Sequence, residues 1–600
     1  LAKLMLAQNL ATGDPQTIAA PYIDPAKGVA TADEALGGAQ DIIAETVSER
    51  ADLRAAIRRK LWTEGEIGTE FVAGEGEGQE FLNYREYREP VRHIPSHRTL
   101  AVNRGERKGA LKAELHIAHA ACIDVLLRQI LTGPSIFGEF IRAAVADGYK
   151  RLLYPALERE IRNQLTENAE RQAIRVFNLN LRQLLLQPPL AGHTIMGLDP
   201  GYRTGCKLAV IDPTGAVLTT DTLFFTMGEG QRRRATETAL ATISRHGVTL
   251  IAIGNGTASY ETEEFVAELI NNHGLAVHYL ITNEAGASVY SASKLAKDEL
   301  PGLDVTLRGA VSIARRVEDP LAELVKIDPK SIGVGQYQHD VDQKELSRTL
   351  GQVVESCVNH VGVELNTASA ELLTYVAGIN ATVAKNIVAH RNQNGPFVDR
   401  RQLLQVSRLG QATFTQCAGF LRIQQSANPL DNTPVHPESY QLAAAILDRL
   451  GISQVALTDK ESLRQLQTQV ASVNASGLAA ELAAGEPTVR DILAALAKPG
   501  RDPREDLPPP LTRKNIVKLS DIAPGTLVRG TIHNITDFGV FVDIGVKTNG
   551  LIHRSELSDK PFRHPLDVVS VGETVDCLVL SVDESRGRIA LSRRKAREAR

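Results

Sequence analysis

A chain of 600 residues and 65.0 kDa exceeds what one hydrophobic core supports, so it divides into several domains. Hydrophobic residues at 43% and charged residues at 23% exclude a wholly disordered, collagenous or coiled-coil protein. A formal charge of -4 gives no global basic field, and no run nears the ~18 apolar residues of a membrane span.

The first 190 residues read as helical. Leu36, Ile42, Ile43, Val47, Leu53 and Ile57 recur with a period near 3.6, and Leu153, Leu157, Ile161, Leu165 and Ile174 continue the style. Between them the aromatic-rich stretch from Phe71 to Lys108 carries no clear period. After Leu186-Gln-Pro-Pro-Leu190 the texture changes. Three short apolar runs, Thr194 to Asp199, Lys207 to Asp212 and Ala216 to Phe225, precede a polar helix, Glu229 to His246, and a buried strand, Val248 to Ile253. That order matches the opening of a ribonuclease-H-like fold. Nucleases of that fold gather carboxylates at strand ends around two divalent ions. Asp199 ends the first strand; Glu261, Glu263, Glu284, Glu318 and Asp319 are its candidate partners, and a turn residue with helix caps is the plain alternative. Such a nuclease would need Mg²⁺ or Mn²⁺; otherwise the sequence calls for no cofactor.

Helices resume near Leu346. Two helical hairpins follow one another, turning at Ala377-Gly-Ile-Asn380 and at Ser407-Arg-Leu-Gly410. Gly378 and Gly410 permit close backbone approach, and free amides at the following helix N-termini suit phosphate. The first turn has Asn380 where the second glycine of the usual Gly-x-Gly would stand, so a purely structural hairpin is an equal reading. An Ala-rich helical stretch, Glu438 to Ala497, leads to the Pro-rich, charged segment from Lys498 to Pro510, which reads as a linker.

Beyond it the chain alternates like a β module. In Gly539-Val-Phe-Val-Asp-Ile-Gly545, Val540, Val542 and Ile544 share one face and Phe541 and Asp543 the other. Alternation alone turns Phe538 inward; a bulge at Gly539 would turn it outward. His553 and Arg588 are interleaved with apolar neighbours and point away from the core. Two rings, a histidine and an arginine would then share one side of a small barrel, where aromatic faces stack on unpaired bases. From Leu511 to Arg600 there are 15 Lys+Arg against 11 Asp+Glu, and the tail from Arg593 holds the surplus, either for phosphate or as a solvated helix end. The five cysteines form no metal pattern and read as reduced thiols of a cytoplasmic protein.

The run Gly530-Thr-Ile, Asp537-Phe-Gly-Val-Phe-Val-Asp543, Gly550-Leu-Ile-His553 and Arg586-Gly-Arg-Ile-Ala-Leu-Ser592 resembles the ribosomal S1-type RNA-binding domain, an OB-fold barrel. That resemblance implies that both phenylalanine rings are exposed. Taken with Gly197-Leu-Asp-Pro-Gly201, Gly254-Asn-Gly-Thr-Ala-Ser259, Asn283-Glu-Ala-Gly286, Asp319-Pro-Leu-Ala-Glu323 and Ser331-Ile-Gly-Val-Gly-Gln-Tyr-Gln-His-Asp340, the whole chain resembles the Tex family of bacterial transcription accessory proteins. The resemblance implies an N-terminal helical region with helix-turn-helix character that begins before Leu1, a YqgF-like domain of ribonuclease-H fold without demonstrated nuclease activity, paired helix-hairpin-helix units and the S1-type barrel. Tyr260 and Glu318 depart from the arginine and glutamine usual in the family.

The expected fold class is a multidomain α protein with α/β and β modules. The expected domains are 1–190, 191–340, 341–425, 426–510 (helical connector and linker) and 511–600. The expected function is a monomeric scaffold binding RNA and single-stranded DNA, docked on the transcription machinery; a divalent-metal nuclease centred on Asp199 is the rival.

Overall fold

The computed structural model describes residues 1–74, 76–454, 457, 460–500, 502–506, 512, 522–536, 538–546, 549–562, 565–569, 573–583 and 588–598. The chain forms two compact units, Leu1–Arg175 with His339–Asp342, and Val176–Gln338 with Gln343–Arg600.

In the first unit, Thr31 and Glu34 form a reciprocal cap that opens helix α1 (Ala32–Glu49), and the extended backbone of Arg50 separates it from α2 (Ala51–Glu64). The continuous period from Leu36 to Ile57 is thus two helices. Leu36, Ile43, Leu53, Ile57 and Leu61 bury one stripe in a shared core. A departure from the helical expectation follows. Strands β1 (Glu66–Phe71), β2 (Glu86–Pro90) and β3 (Leu111–His116) make an antiparallel sheet in the order β2-β1-β3, with helix α3 (Ser96–Arg107) between the last two in sequence. Their short, charge-rich segments carry too few apolar residues for a legible period. Helix α4 (Tyr154–Leu185) crosses from the first unit's residues into the second's.

The second unit opens with a five-stranded mixed sheet: β4 (Ile195–Asp199), β5 (Cys206–Ile211), β6 (Val217–Leu223), β7 (Leu250–Gly254) and β8 (His278–Thr282), in the order β6-β5-β4-β7-β8. The first three are antiparallel, and β7 and β8 run parallel to β4. Helices α5 (Glu229–His246) and α6 (Ser259–His273) cover one face; α7 (Val305–Glu318) covers the other through Ala310, Val311, Ile313 and Ala314. Strand β4 is therefore buried on both sides, and Asp199 ends it at the centre of the sheet.

Helix α8 (Gln343–Val361) leads to the hairpins. The first limb before each turn is short, a four-residue helix at Ala370–Leu373 and a 3₁₀ turn at Arg400–Gln405, followed by α9 (Ala381–Asn394) and α10 (Gln411–Cys417) respectively. The Ala-rich stretch beyond packs around Ile446, Leu447, Leu466, Val489 and Leu496.

The linker expectation needs correction over 502–506. Pro503–Asp506 is a 3₁₀ turn whose Arg504 is buried, donating to Asp319 Oδ1 (2.7 Å) and to Asp502 Oδ2 (2.7 Å). Paired burial of the guanidinium holds this segment in place; positions 507–510 of the expected linker lie outside the described residues.

The chain closes on a barrel of β9 (Leu527–Thr536), β10 (Gly539–Asp543), β11 (Gly550–His553), β12 (Thr574–Asp583) and β13 (Arg588–Ser592), in the closed order β9-β10-β11-β13-β12. Val540, Val542, Ile552, Val575, Cys577, Ile589 and Leu591 fill it. Helix α11 (Arg593–Glu598) follows directly.

Candidate nucleic-acid interface

Strand parity sets the outer face of the barrel. Phe541 stands opposite Leu551 on β11 and Asn534 on β9, and opposed residues in a ladder share a face. His553, two residues beyond Leu551, lies on that same face opposite Gly539 and is exposed. Phe541 is half-buried and takes no place in the core.

Phe538 reaches the same side by a route the sequence did not indicate. It sits in the turn before β10, its carbonyl accepting from the Arg554 amide (2.9 Å), and its half-buried ring meets Phe541 edge-on, centroids 6.1 Å apart at 89°. The expected bulge at Gly539 is absent, for Gly539 pairs in register with Thr536 and His553. The register shift lies instead on β9, between Ile532 and Asn534. His553 accepts at Nδ1 from the Ser555 amide (3.3 Å) and meets the Ser555 hydroxyl through the same nitrogen (2.9 Å).

Arg588 is exposed on the outer face but is not beside the rings. Leu551 pairs with Ala590, so Arg588 lies two residues below that level and His553 two above, a span of ~13 Å along the strands. The basic tail is partly spent internally, which corrects the expectation of a phosphate-holding tail. Arg593 donates to Glu573 (3.2 Å) and the Val568 carbonyl (3.3 Å), and Arg594 pairs with Glu556 and Asp559 (3.6 Å each). Lys595 and Arg597 remain exposed. Arg554, which the sequence reading passed over although it adjoins His553, lies exposed over the Phe562 ring, 5.4 Å from its centroid.

The carboxylates of the central sheet do not gather as expected. Asp199 and Glu284 interact: burial first, then the Glu284 charge, push Asp199 up to about 6. Burial also raises Glu284, whose Oε2 is buried without a hydrogen-bond partner. A β-carbon at Gly256 would come within 1.8 Å of Glu284 Oε1, so the Glu284 carboxylate holds its present position only beside a glycine. The other candidates are engaged elsewhere. Glu261 accepts from the Tyr202 hydroxyl, Glu263 from Tyr279 Oη (3.0 Å), and Asp319 caps Leu321 and Ala322 and holds Arg504. Glu318 is raised to about 7 by burial and by neighbouring Asp319, not by Asp199.

A cation already stands by the pair. Buried Arg316 donates from Nη1 to the carbonyls of Asn283 and Ala285 (2.8 Å each), and the charges of Glu323, Glu284 and Asp199 act on it against the depressing effect of burial. Among the described residues no three His, Cys, Asp or Glu side chains are placed to hold a metal ion. Two carboxylates beside a resident guanidinium are a poor fit to a two-ion centre, which needs several shared oxygen ligands.

The two hairpins superimpose in logic, with the glycines exchanged. Ile379 N donates to Val376 O (3.0 Å) and Leu409 N to Val406 O (3.1 Å). Gly378 (φ 81°) therefore corresponds to Arg408 (φ 65°), both left-handed, while Gly410 corresponds to Asn380, both extended N-caps. Asn380 Oδ1 accepts from the amides of Thr382 and Val383 (3.0 Å each), so the first hairpin spends on its own side chain the amides expected to be free for phosphate. Gly410 supplies no such cap. Sequence reasoning also missed Arg400, fully buried behind the second hairpin. It donates to the carbonyls of Leu421 (2.7 Å), Val435 (2.8 Å) and Thr433 (2.6 Å).

A closed OB-type barrel with rings on its outer face, a ribonuclease-H-like sheet and tandem helical hairpins define a multidomain protein of nucleic-acid-binding architecture. Comparison with known families agrees: residues 11–177 match the Tex central region-like family, 193–318 the Tex protein YqgF-like domain, 358–422 a helix-hairpin-helix motif, 428–504 an HHH domain and 521–594 the S1 RNA binding domain. The stretch 428–504 reads from composition as a mere connector. Protein tex of Bordetella pertussis is 46% identical over 604 residues, covering 97% of this chain and 75% of that protein. The Transcriptional accessory protein Tex of Neisseria gonorrhoeae is 46% identical over 608 residues (99% and 78%), and the human S1 RNA-binding domain-containing protein 1 is 37% identical over 642 residues (95% and 64%). The chain belongs to the Tex family.

Proposed function

We propose that this protein binds single-stranded RNA, and unpaired DNA by the same face, as a multidomain scaffold in transcription. The observation that carries the reading is the edge-on pair Phe538–Phe541 beside exposed His553 on the outer face of a closed barrel. Each ring that stacks on a base contributes ~1–3 kcal/mol with little dependence on sequence. Exposed Arg588 and the uncapped second hairpin at Gly410 supply cationic and amide contacts to phosphate. Gly378 serves this only by shaping its turn. The name of the Neisseria relative supports a place in transcription, with docking on the transcription machinery as its route. The central domain acts as scaffold and not as nuclease: of the candidate carboxylates only Asp199 and Glu284 act on one another, the buried cation Arg316 stands by them, and Asp319 is committed to Arg504.

The test is fluorescence anisotropy with a labelled single-stranded RNA across a salt series. Phe541→Ala should weaken binding about tenfold at every salt concentration and leave the slope unchanged, because stacking releases no counterions. Arg588→Ala should reduce the slope by about 0.7. Wild-type affinity in Phe541→Ala would refute the stacking face.

A further inference from the structure

The outer face of β10 continues past Phe541. Asp543 follows two residues on, ~7 Å along the strand, and lines a cavity of about 390 Å³ whose far wall is the turn between β7 and α6. Tyr202, Asn255 and Tyr260 from the central domain face it, with His533, Asp543 and Asn549 from the barrel. The register shift on β9 re-aims His533, which a regular ladder would have kept in line with its neighbours. The volume falls in the ~300–1,000 Å³ range of small-ligand cavities, with flat rings and hydrogen-bonding groups converging on it. Among the described residues its lining charge is acidic, from Glu261, Glu263 and Asp543. Such a wall repels phosphate. It accepts hydrogen bonds from the amino group of a base and turns away a bare carbonyl edge.

We propose that this cavity takes one unpaired nucleoside of an RNA strand whose neighbouring bases stack on Phe541 and Phe538, and that it prefers a base bearing an exocyclic amine. The sugar and phosphate stay outside, and Tyr202, Tyr260 and His533 hold the base. The proposal rests on the stacking role of the barrel argued above, and its test separates the two.

The experiment measures affinities of the full chain for single-stranded RNAs lengthened one nucleotide at a time, the added residue being cytidine or uridine. Affinity should step up by about tenfold when the strand first reaches the cavity, and the step should be larger for cytidine. Tyr202→Ala with His533→Ala should abolish the step while leaving the affinity for shorter strands at the wild-type value. Both side chains are exposed, so the double variant should fold; Tyr260→Ala should reduce the step independently. A step that persists in these variants, or that is equal for the two bases, overturns the cavity while the barrel stands. Phe541→Ala without effect on any strand would remove the barrel reading and the cavity with it.

Discussion

At the scale of single residues, strand parity made Phe541 legible: its neighbours Val540 and Val542 had to face inward, which left it outside. Phe538 was not legible, because a turn residue obeys no period; only its edge-on packing against Phe541 shows its side. Asp199 was legible as a carboxylate at a strand end, but the charges that act on it come from Glu284, then Lys207 and Arg316, and residues 284 and 316 lie too far along the chain for spacing to report them. The raised carboxyl has a stability consequence. Its folded pKa of about 6 exceeds the ordinary 3.8, so folding favours the protonated form, and that contribution is complete below pH ~4 and lost as pH rises through 6. Asp199→Asn keeps the shape and removes the ionisation. It should melt higher than wild type at pH 7.5, by about 1–3 kcal/mol, with the advantage fading between pH 6 and 4. A variant less stable than wild type at pH 7.5 would show that the ionised carboxylate is held by favourable contacts.

At the scale of elements, the sequence announced both hairpins through two turns of matching spacing and set Asn380 at the second glycine's place, but it did not show which residue answers Gly378. The structure sets Gly378 with Arg408 in the left-handed region, where an arginine is strained and a glycine is not. Arg408→Gly should therefore raise stability by a few tenths to ~1 kcal/mol, and Gly378→Ala should lower it by ~1–2 kcal/mol, with its β-carbon 2.8 Å from that of Gln416. Chemical denaturation distinguishes the two signs. Gly410→Ala should cost less, since its extended backbone suits any residue and its β-carbon would meet open space. Behind the second hairpin, Arg400→Met would leave three buried carbonyls without a donor. A loss of ~3 kcal/mol or more is expected, with no rescue by lysine, whose single ammonium cannot span all three. The sheet β2-β1-β3 escaped the sequence reading for the opposite reason: each strand is five or six residues long and rich in charge, so no period of two rises above the helices around it.

At the scale of the whole molecule, changes in texture near Leu190 and Pro510 were visible because composition shifts where one packing logic replaces another. The docking of Pro503–Asp506 was not visible, because it depends on Asp319 receiving Arg504 from 185 positions away. The division of labour we propose is simple: the barrel binds bases, the hairpins add contacts to the backbone, and the central sheet gives support. Its most direct test is the affinity for a single-stranded RNA of the full chain beside a chain ending at Asp506, measured at one salt concentration. Removal of the barrel should weaken binding about a hundredfold or more, the sum of several stacked rings. Equal affinity of the two would contradict the account, since the bases would then be held elsewhere.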